Sequence, residues 1–296
     1  MSDISAKLRD YKAYFDEELR AFLDRLERNG AEQPLLEAVR YSIENGGKRI
    51  RPFLVFLGAE FIGHAKEEVI NYALAIEFVH SYSLVHDDLP CMDDDTLRRG
   101  VPTTHVKYGE GMAVLTGDAM LNMAYEIALS KANIASNDVR ALRHFASVAG
   151  IFGMVGGQCI DIRDNEKVGM TFDELINLYY LKTSKLISGA LLTGALASGA
   201  SDDEIEALEL YARNVGIIFQ IVDDILDVTS TEAELGKNIG SDSDNGKATS
   251  IRYMSIDEAR AYICTLESEI SARLRVYGER ADDLLALSSM LSRRNK

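Results

Sequence analysis

Two clusters of aspartates follow apolar segments, and their carboxylates are the groups in this chain best suited to chemistry. The first cluster has five carboxylates within residues 87–95, and the second is Asp223-Asp224-Ile225-Leu226-Asp227. Clustered carboxylates repel one another unless a cation neutralises them, and such hard oxygen ligands suit Mg²⁺. Because both clusters end apolar runs, we predict that they form two walls of one metal-binding cavity.

The spacing within each cluster indicates how its carboxylates are presented. Asp223 and Asp227 are four residues apart, which places them on one face of a helix. Asp87 and Asp93 would lie about 120° apart around an ideal helix, but Pro90 between them bends or ends a helix. A turn just before Pro90 would bring Asp93 back towards Asp87. The alternative for the first cluster is a solvated acidic loop, whereas carboxylates among Ile, Val and Leu in the second favour a metal.

Basic residues that could hold a diphosphate are concentrated in two places. The richest stretch is Gly46-Gly47-Lys48-Arg49-Ile50-Arg51-Pro52. Its glycines let the backbone approach an anion closely, and its cations would hold that anion. The alternative is a basic helix end followed by a helix that starts after the proline. Arg98 and Arg99 follow the first acidic cluster, where they either neutralise it or, because adjacent side chains diverge, face two different anions.

Other polar residues become candidates for the site only when they are considered together with the two aspartate clusters. His80 lies seven residues before Asp87 and therefore on the same helix face, although a lone histidine among apolar residues is usually part of a core. The remaining candidates are Lys182-Thr183, Lys237 and Lys247. Together with the aspartates, these residues predict a metal-filled cavity rimmed by Lys and Arg, which suits a diphosphate.

The elements that must position these residues are predicted to be helices. All four prolines lie in the first 102 residues, no period-two alternation marks a strand, and helical periodicity recurs throughout. We predict helices over 16–28, 67–89, 110–132, 139–161, 171–199, 201–227, 255–278 and 281–293. Thr171 with Glu174 and Ser201 with Glu204 have the spacing of capping boxes. The predicted fold is all-α, one domain over 1–296 with about ten helices around a central cavity.

Charge, cysteine spacing and hydrophobic runs limit the partners and the location of the protein. The net charge of −15 argues against nucleic acid as a partner. Cys91, Cys159 and Cys264 have no framework spacing and are interpreted as free thiols in a reducing compartment. The polar N-terminus is unlike a signal peptide, and no apolar run reaches the length of a membrane span. We therefore expect a cytoplasmic protein.

The ordered motifs resemble those of trans-isoprenyl diphosphate synthases, most closely the bacterial-type farnesyl diphosphate synthases. The resemblance covers nearly the whole chain. It rests on the basic and Asp-rich stretches above together with Leu97-Arg98-Arg99-Gly100, Gly156-Gly157-Gln158, Lys182-Thr183, Phe219-Gln220, Leu235-Gly236-Lys237 and Gly246-Lys247-Ala248-Thr249. It implies an isoprenoid-synthase-type helical bundle and a homodimer. The implied reaction is Mg²⁺-dependent, head-to-tail condensation of isopentenyl diphosphate with dimethylallyl or geranyl diphosphate, giving (2E,6E)-farnesyl diphosphate.

The resemblance also implies roles for individual residues. Three Mg²⁺, or Mn²⁺ in their place, would be bound by Asp87, Asp88, Asp93, Asp223, Asp224 and Asp227. The catalytic residues would be Asp87, Asp93, Asp223, Lys182 and Arg98. The allylic diphosphate would contact Arg98, Lys182, Thr183, Gln220 and Lys237, with Lys247 as a further substrate contact. The isopentenyl diphosphate would bind Lys48, Arg51, His80 and Arg99.

Product length is predicted from two residues that precede the first cluster. Tyr82 and Ser83 lie five and four residues before Asp87, about one helical turn below it, where a growing chain would pass. A large aromatic residue here resembles the farnesyl-producing members, whereas geranylgeranyl producers often have a smaller one. We therefore expect a C15 product with Tyr82 as the pocket floor. The alternatives are that Tyr82 is ordinary core packing and that the product is C20.

Three rival functions fit the sequence less well. A class I terpene cyclase usually has an Asn/Asp–Ser/Thr–Glu pattern as its second metal motif, and it has no use for the Lys48 to Arg51 stretch. A magnesium-dependent phosphohydrolase needs parallel strands, which the sequence does not predict. A non-enzymatic scaffold that binds cations leaves the basic residues unexplained.

Overall fold

Helices build the protein, which confirms the predicted all-α class. The computed structural model describes residues 3–130, 136–164, 169–229 and 249–294. Its α-helices are α1 Ile4–Arg28, α2 Gln33–Glu44, α3 Ile50–Ile62, α4 Ile70–Asp87, α5 Thr104–Tyr108, α6 Glu110–Leu129, α7 Ser136–Val148, α8 Met154–Asp164, α9 Phe172–Tyr179, α10 Lys185–Ala197, α11 Asp202–Thr229, α12 Ile256–Leu274 and α13 Asp282–Ser292. Short 3₁₀ turns cover Lys66–Val69, Ser250–Arg252 and Arg275–Ala281.

A small hairpin follows the first acidic cluster. Strand β1, Leu97–Arg98, pairs antiparallel with β2, Val101–Pro102. Each strand has only two residues, so the hairpin adds little to the fold. Its effect is local, because it places two adjacent arginines at the end of α4.

Local sequence signals explain where several helices begin. The Thr171 hydroxyl accepts from the Glu174 N–H at 3.3 Å, and the Glu174 carboxylate accepts from the Thr171 N–H at 2.8 Å. Ser201 and Glu204 exchange the same pair of bonds at the start of α11. Both predicted capping boxes are therefore confirmed. The first helix begins at Ile4, well before the predicted start at residue 16, because the chain provides an N-cap at Asp3.

Two predicted helices are interrupted. The helix expected over 139–161 is split into α7 and α8 by residues 149–153, where two glycines in five residues weaken a helix. The helix expected over 171–199 contains a π-helical turn, Tyr180–Ser184, between α9 and α10. A π turn inserts one extra residue and redirects the side chains around it, and such turns are frequent at functional sites.

The buried side chains form one continuous hydrophobic cluster, with α3, α4 and α10 apolar on nearly every side. Helix α4 packs along α3 and α6, and α10 packs against α3, α7 and α11. Both acidic clusters lie at the C-terminal ends of long helices, α4 and α11. Among the described helices, none is long and apolar enough to cross a bilayer.

Candidate active site

The first acidic cluster folds back on the end of α4. Pro90 follows the last helical residue by three positions, and the Asp93 N–H donates to the Asp87 carbonyl oxygen at 2.8 Å. A second bond, from the Met92 N–H to the Leu89 carbonyl oxygen at 2.8 Å, closes the turn. The predicted return of Asp93 towards Asp87 is confirmed.

The Asp87 carboxylate lies in a site that disfavours its charge. Burial raises the pKa of Asp87 to about 6, and the nearby charge of Asp93 adds to this rise, while Lys182 opposes it. A carboxylate with this balance gains from any added cation. Asp87 therefore has the character expected of a ligand for a metal or a metal–diphosphate complex.

Asp88, the second aspartate of the pair, is bound by Arg98. The Arg98 Nε donates to both Asp88 oxygens, at 2.7 and 2.9 Å, and the aspartate is buried. Two residues that the resemblance implies as a metal ligand and an allylic contact are thus bonded to each other. Their roles toward metal and substrate stay predictions.

The second acidic cluster shows a similar division. Asp224 is buried and accepts hydrogen bonds from the Tyr179 hydroxyl and from the Ser250 N–H and hydroxyl, the last two at 2.8 and 2.6 Å. Asp223 is 44% exposed and forms an ion pair with Arg294, beyond the end of α13. The role of Asp224 as a metal ligand stays a prediction, and its hydrogen bonds give it a structural role here.

An apolar cavity of about 640 Å³ begins at Asp87. It brings together seven predicted site residues with side chains from α8: its walls include Arg51, His80, Tyr82, Ser83, Asp87, Lys182 and Thr183, together with Met154, Val155, Gln158 and Ile162. Lys182 and Thr183 reach it from the π-helical turn. The Lys182 ammonium donates to Asp161 on α8, and the Thr183 hydroxyl lies 3.2 Å from the Gln220 amide oxygen.

A second cavity of about 550 Å³, called the basic cavity below, has one lysine, three arginines and His80 among its lining residues. It contains all four residues predicted to bind isopentenyl diphosphate: Lys48, Arg51, His80 and Arg99. The Arg51 Nη1 is 3.2 Å from His80 Nε2, and since a guanidinium only donates, this histidine nitrogen accepts. Burial, followed by the charge of Arg51, holds the pKa of His80 well below its usual value.

Within the part of the chain that the structure describes, Arg51 has an unused hydrogen-bond donor beside this cavity. Its Nε is buried without a hydrogen-bond partner among the described residues. Burial lowers the pKa of Arg51 to about 10, and the nearby charge of Arg99 contributes. A buried donor among like charges is costly until an anion arrives. This cavity therefore has the electrostatics of an anion site.

Arg49 and Arg99, the other two arginines that line this cavity, have structural partners. Arg49 is buried, donates to Asp16 at 3.0 Å and to Glu77 at 2.6 Å, and so neutralises these carboxylates. Arg99 donates to the Gly46 carbonyl oxygen at 2.6 Å. A Cβ on Gly47 would lie only 2.9 Å from the Arg99 Nη1, and its φ of +115° also favours glycine. The glycine pair thus lets the two basic segments meet.

Residues 32–274 match the polyprenyl synthetase family. This chain belongs to that family. Geranylgeranyl pyrophosphate synthase 7, chloroplastic, of Arabidopsis thaliana is 40% identical over 87% of this chain and 76% of its own length. The structure also resembles the geranylgeranyl pyrophosphate synthetase of Pyrococcus horikoshii, with a TM-score of 0.87, 30% identity and coverage of 99% and 98% of the two chains.

A third similar protein was crystallised with ligands. It is the geranyltransferase of Helicobacter pylori, complexed with magnesium and isoprenyl diphosphate. Its TM-score is 0.81 and its identity 32%, with 98% of this chain and 97% of that chain covered. These matches confirm the predicted membership of the trans-isoprenyl diphosphate synthases.

The carboxylates of this polyprenyl synthetase suit a divalent cation. Within the described ranges, no three metal-binding side chains already stand close enough to hold an ion by themselves. Mg²⁺ is commonly bound by one or two carboxylates together with water and substrate phosphates, so a complete protein cage is not required. Asp87, Asp93 and Asp223 supply oxygens of the right kind, and the burial that raises the pKa of Asp87 favours a cation beside it.

Sequence reasoning missed the residues that hold the predicted ones in place. These supporting residues are Glu77, Asp161, Tyr179, Ser250 and Arg294. None has a motif of its own, and each lies 21 or more positions from its partner, at a separation set by packing. The predicted substrate contacts Lys237 and Lys247 lie outside the described residues.

Proposed function

We propose that this polyprenyl synthetase condenses isopentenyl diphosphate head to tail with an allylic diphosphate, in a Mg²⁺-dependent reaction. The observation that carries the proposal is a pair of adjoining cavities, one basic and one apolar. Arg51 and His80 line both cavities, so two ligands bound there would be neighbours.

Each cavity suits one substrate. The basic cavity would hold isopentenyl diphosphate on Lys48, Arg51 and Arg99, because charge-assisted hydrogen bonds to a diphosphate are strong. The apolar cavity would enclose the allylic chain and exclude water from its carbocation. Lys182 and Thr183, at its mouth, would contact the allylic diphosphate. Bound Mg²⁺ would supply the positive charge that stabilises the departing diphosphate.

Product length has two candidates. The named activities of the Arabidopsis and Pyrococcus relatives favour a C20 product, geranylgeranyl diphosphate. The expected C15 product is supported by one observation: Tyr82 is 6% exposed and lies on the wall of the apolar cavity, five residues before Asp87. A class I terpene cyclase is disfavoured because it leaves the basic cavity without a ligand. The homodimer and the cytoplasmic location stay predictions.

Product analysis tests the activity directly. Purified protein would be incubated with Mg²⁺, isopentenyl diphosphate and dimethylallyl diphosphate, and the dephosphorylated products sized by gas chromatography. A C20 or C15 alcohol supports the proposal and decides between its two lengths. Cyclic hydrocarbon, or free phosphate without chain growth, would refute it.

Substrate affinities test the assignment of the cavities. Arg51→Ala should raise the KM for isopentenyl diphosphate more than the KM for the allylic substrate, and Lys182→Ala should do the reverse. Equal effects of each variant on both substrates would contradict the assignment.

A further inference from the structure

We propose that Gly117 and His86 determine product length by positioning Tyr82. The inference rests on the proposed function and names two residues outside the acidic and basic motifs. Its basis is a direct contact between α6 and the last turn of α4.

Gly117 leaves room for the His86 ring. A Cβ on Gly117 would lie 2.0 Å from His86 Nε2, 2.3 Å from Cδ2 and 2.7 Å from Cε1. These distances are far below van der Waals contact, so any side chain at position 117 would displace the imidazole or separate the helices. The absence of a Cβ on α6 is therefore what allows the ring of His86 to lie where it does.

The main chain of α6 also fixes the orientation of the ring. His86 Nε2 lies 3.1 Å from the Val114 carbonyl oxygen, and because a carbonyl only accepts, Nε2 carries the proton. The Asp118 carboxylate, at 3.9 Å, is too far for a hydrogen bond. The imidazole is thus held by its hydrogen bond to the Val114 carbonyl oxygen and by its packing against Gly117.

The fixed imidazole in turn braces Tyr82. The two residues are one helical turn apart on α4, and their ring centroids are 5.9 Å apart at an interplanar angle of 78°. This edge-to-face arrangement is a favoured geometry for aromatic pairs. Since both rings line the apolar cavity, a shift of His86 changes the space that Tyr82 occupies at its wall. Helix α6 therefore sets the depth of the cavity through these two rings.

A double-mutant cycle separates this positioning role from direct lining of the cavity. In His86→Ala the tyrosine ring loses its brace and can turn into the vacated space, so the product distribution should shift one five-carbon unit longer. In a Tyr82→Ala background the same substitution should cause no further shift, because His86 acts through Tyr82. His86→Phe keeps a ring against Tyr82 and should restore products close to those of the wild type.

Gly117→Ala tests the other end of the contact. Its Cβ should push the imidazole towards Tyr82 and shorten the products, and adding His86→Ala should relieve that effect. Circular dichroism would confirm that each variant is folded. If Gly117→Ala does not fold, the His86→Ala, Tyr82→Ala and double variants still test the inference.

The possible outcomes separate the inference from the proposed function. Active His86→Ala with unchanged products overturns the inference alone. Equal shifts from His86→Ala with and without Tyr82 also overturn it, because His86 would then act on the chain directly. A wild-type protein that forms no prenyl product overturns both.

Discussion

The two acidic clusters use their paired aspartates in the same way. In each pair the second carboxylate faces inward and is tied to the protein: Asp88 to Arg98, and Asp224 to Tyr179 and Ser250. The first carboxylate, Asp87 or Asp223, is more accessible. Each pair therefore combines a buried, hydrogen-bonded carboxylate, the anchor, with a more accessible one, the presented carboxylate. The Asp-Asp motif in the sequence does not distinguish the two.

The clusters differ in how the presented carboxylate is balanced before any metal binds. Burial dominates at Asp87 and raises its pKa to about 6. Asp223 is half exposed and already carries an ion pair to Arg294, whose guanidinium also lies 3.9 Å from the centre of the Phe219 ring. A cation at Asp87 thus relieves a cost, whereas a cation at Asp223 must compete with a resident arginine.

The largest expected effect comes from removing a presented carboxylate. Asp87→Ala and Asp223→Ala should each lower kcat by about 10³-fold or more, because charge stabilisation at the leaving group is usually the largest catalytic contribution. Asp94→Asn is the matched control, since Asp94 is exposed and has a φ of +52° that asparagine also adopts. Retention of more than about a tenth of wild-type kcat in either alanine variant would remove that residue from the catalytic set.

Removing an anchor should instead cost stability. Asp224→Ala leaves the buried Tyr179 and Ser250 hydroxyls without their acceptor, which should lower the free energy of unfolding by about 1–3 kcal/mol. Denaturation by urea in EDTA would measure the loss. Tyr179→Phe, which removes one donor and leaves the carboxylate, should cost less. If Asp224→Ala were as stable as the wild type, Asp224 would not be a structural anchor in this cluster.

The ionisation of Asp87 should appear in the pH dependence of stability without metal. The folded protein holds this proton more tightly than the unfolded chain, because burial raises the pKa of Asp87 from 3.8 to about 6. Its contribution to stability is therefore lost as pH rises through this window and stays lost above it. Asp87→Asn should be more stable than the wild type at neutral pH, and the difference should shrink towards pH 4. If the stability difference between Asp87→Asn and the wild type did not change with pH, the pKa of Asp87 would not be raised in the folded protein.

The smallest effect is expected at Arg294. Arg294→Ala removes the competitor at Asp223, so Mn²⁺ should bind a few-fold more tightly to the substrate-free protein, as expected for a partly exposed ion pair. Isothermal titration calorimetry would measure the affinity. Arg294→Lys keeps the charge and should stay closer to the wild type. Weaker binding in the alanine variant would show that the arginine supports the metal site instead of competing for it.

The sequence by itself determined the features that depend on neighbouring residues. Helical periodicity gave the class, capping boxes at Thr171 and Ser201 marked two helix starts, and Pro90 placed the turn that returns Asp93 to Asp87. These signals act within a few positions of the chain, where backbone geometry limits the possibilities. The order of the motifs was enough to place the chain in its family.

Only the tertiary structure decided which aspartates are anchors and what balances the others. Arg294 reaches Asp223 across 71 positions, and Ser250 reaches Asp224 across 26. The tertiary structure also revealed the break between α7 and α8, the π-helical turn that carries Lys182, and the packing of His86 against Gly117. Such contacts form because whole helices pack to bury their apolar faces, and that packing sets the polar pairs without leaving a local pattern in the sequence.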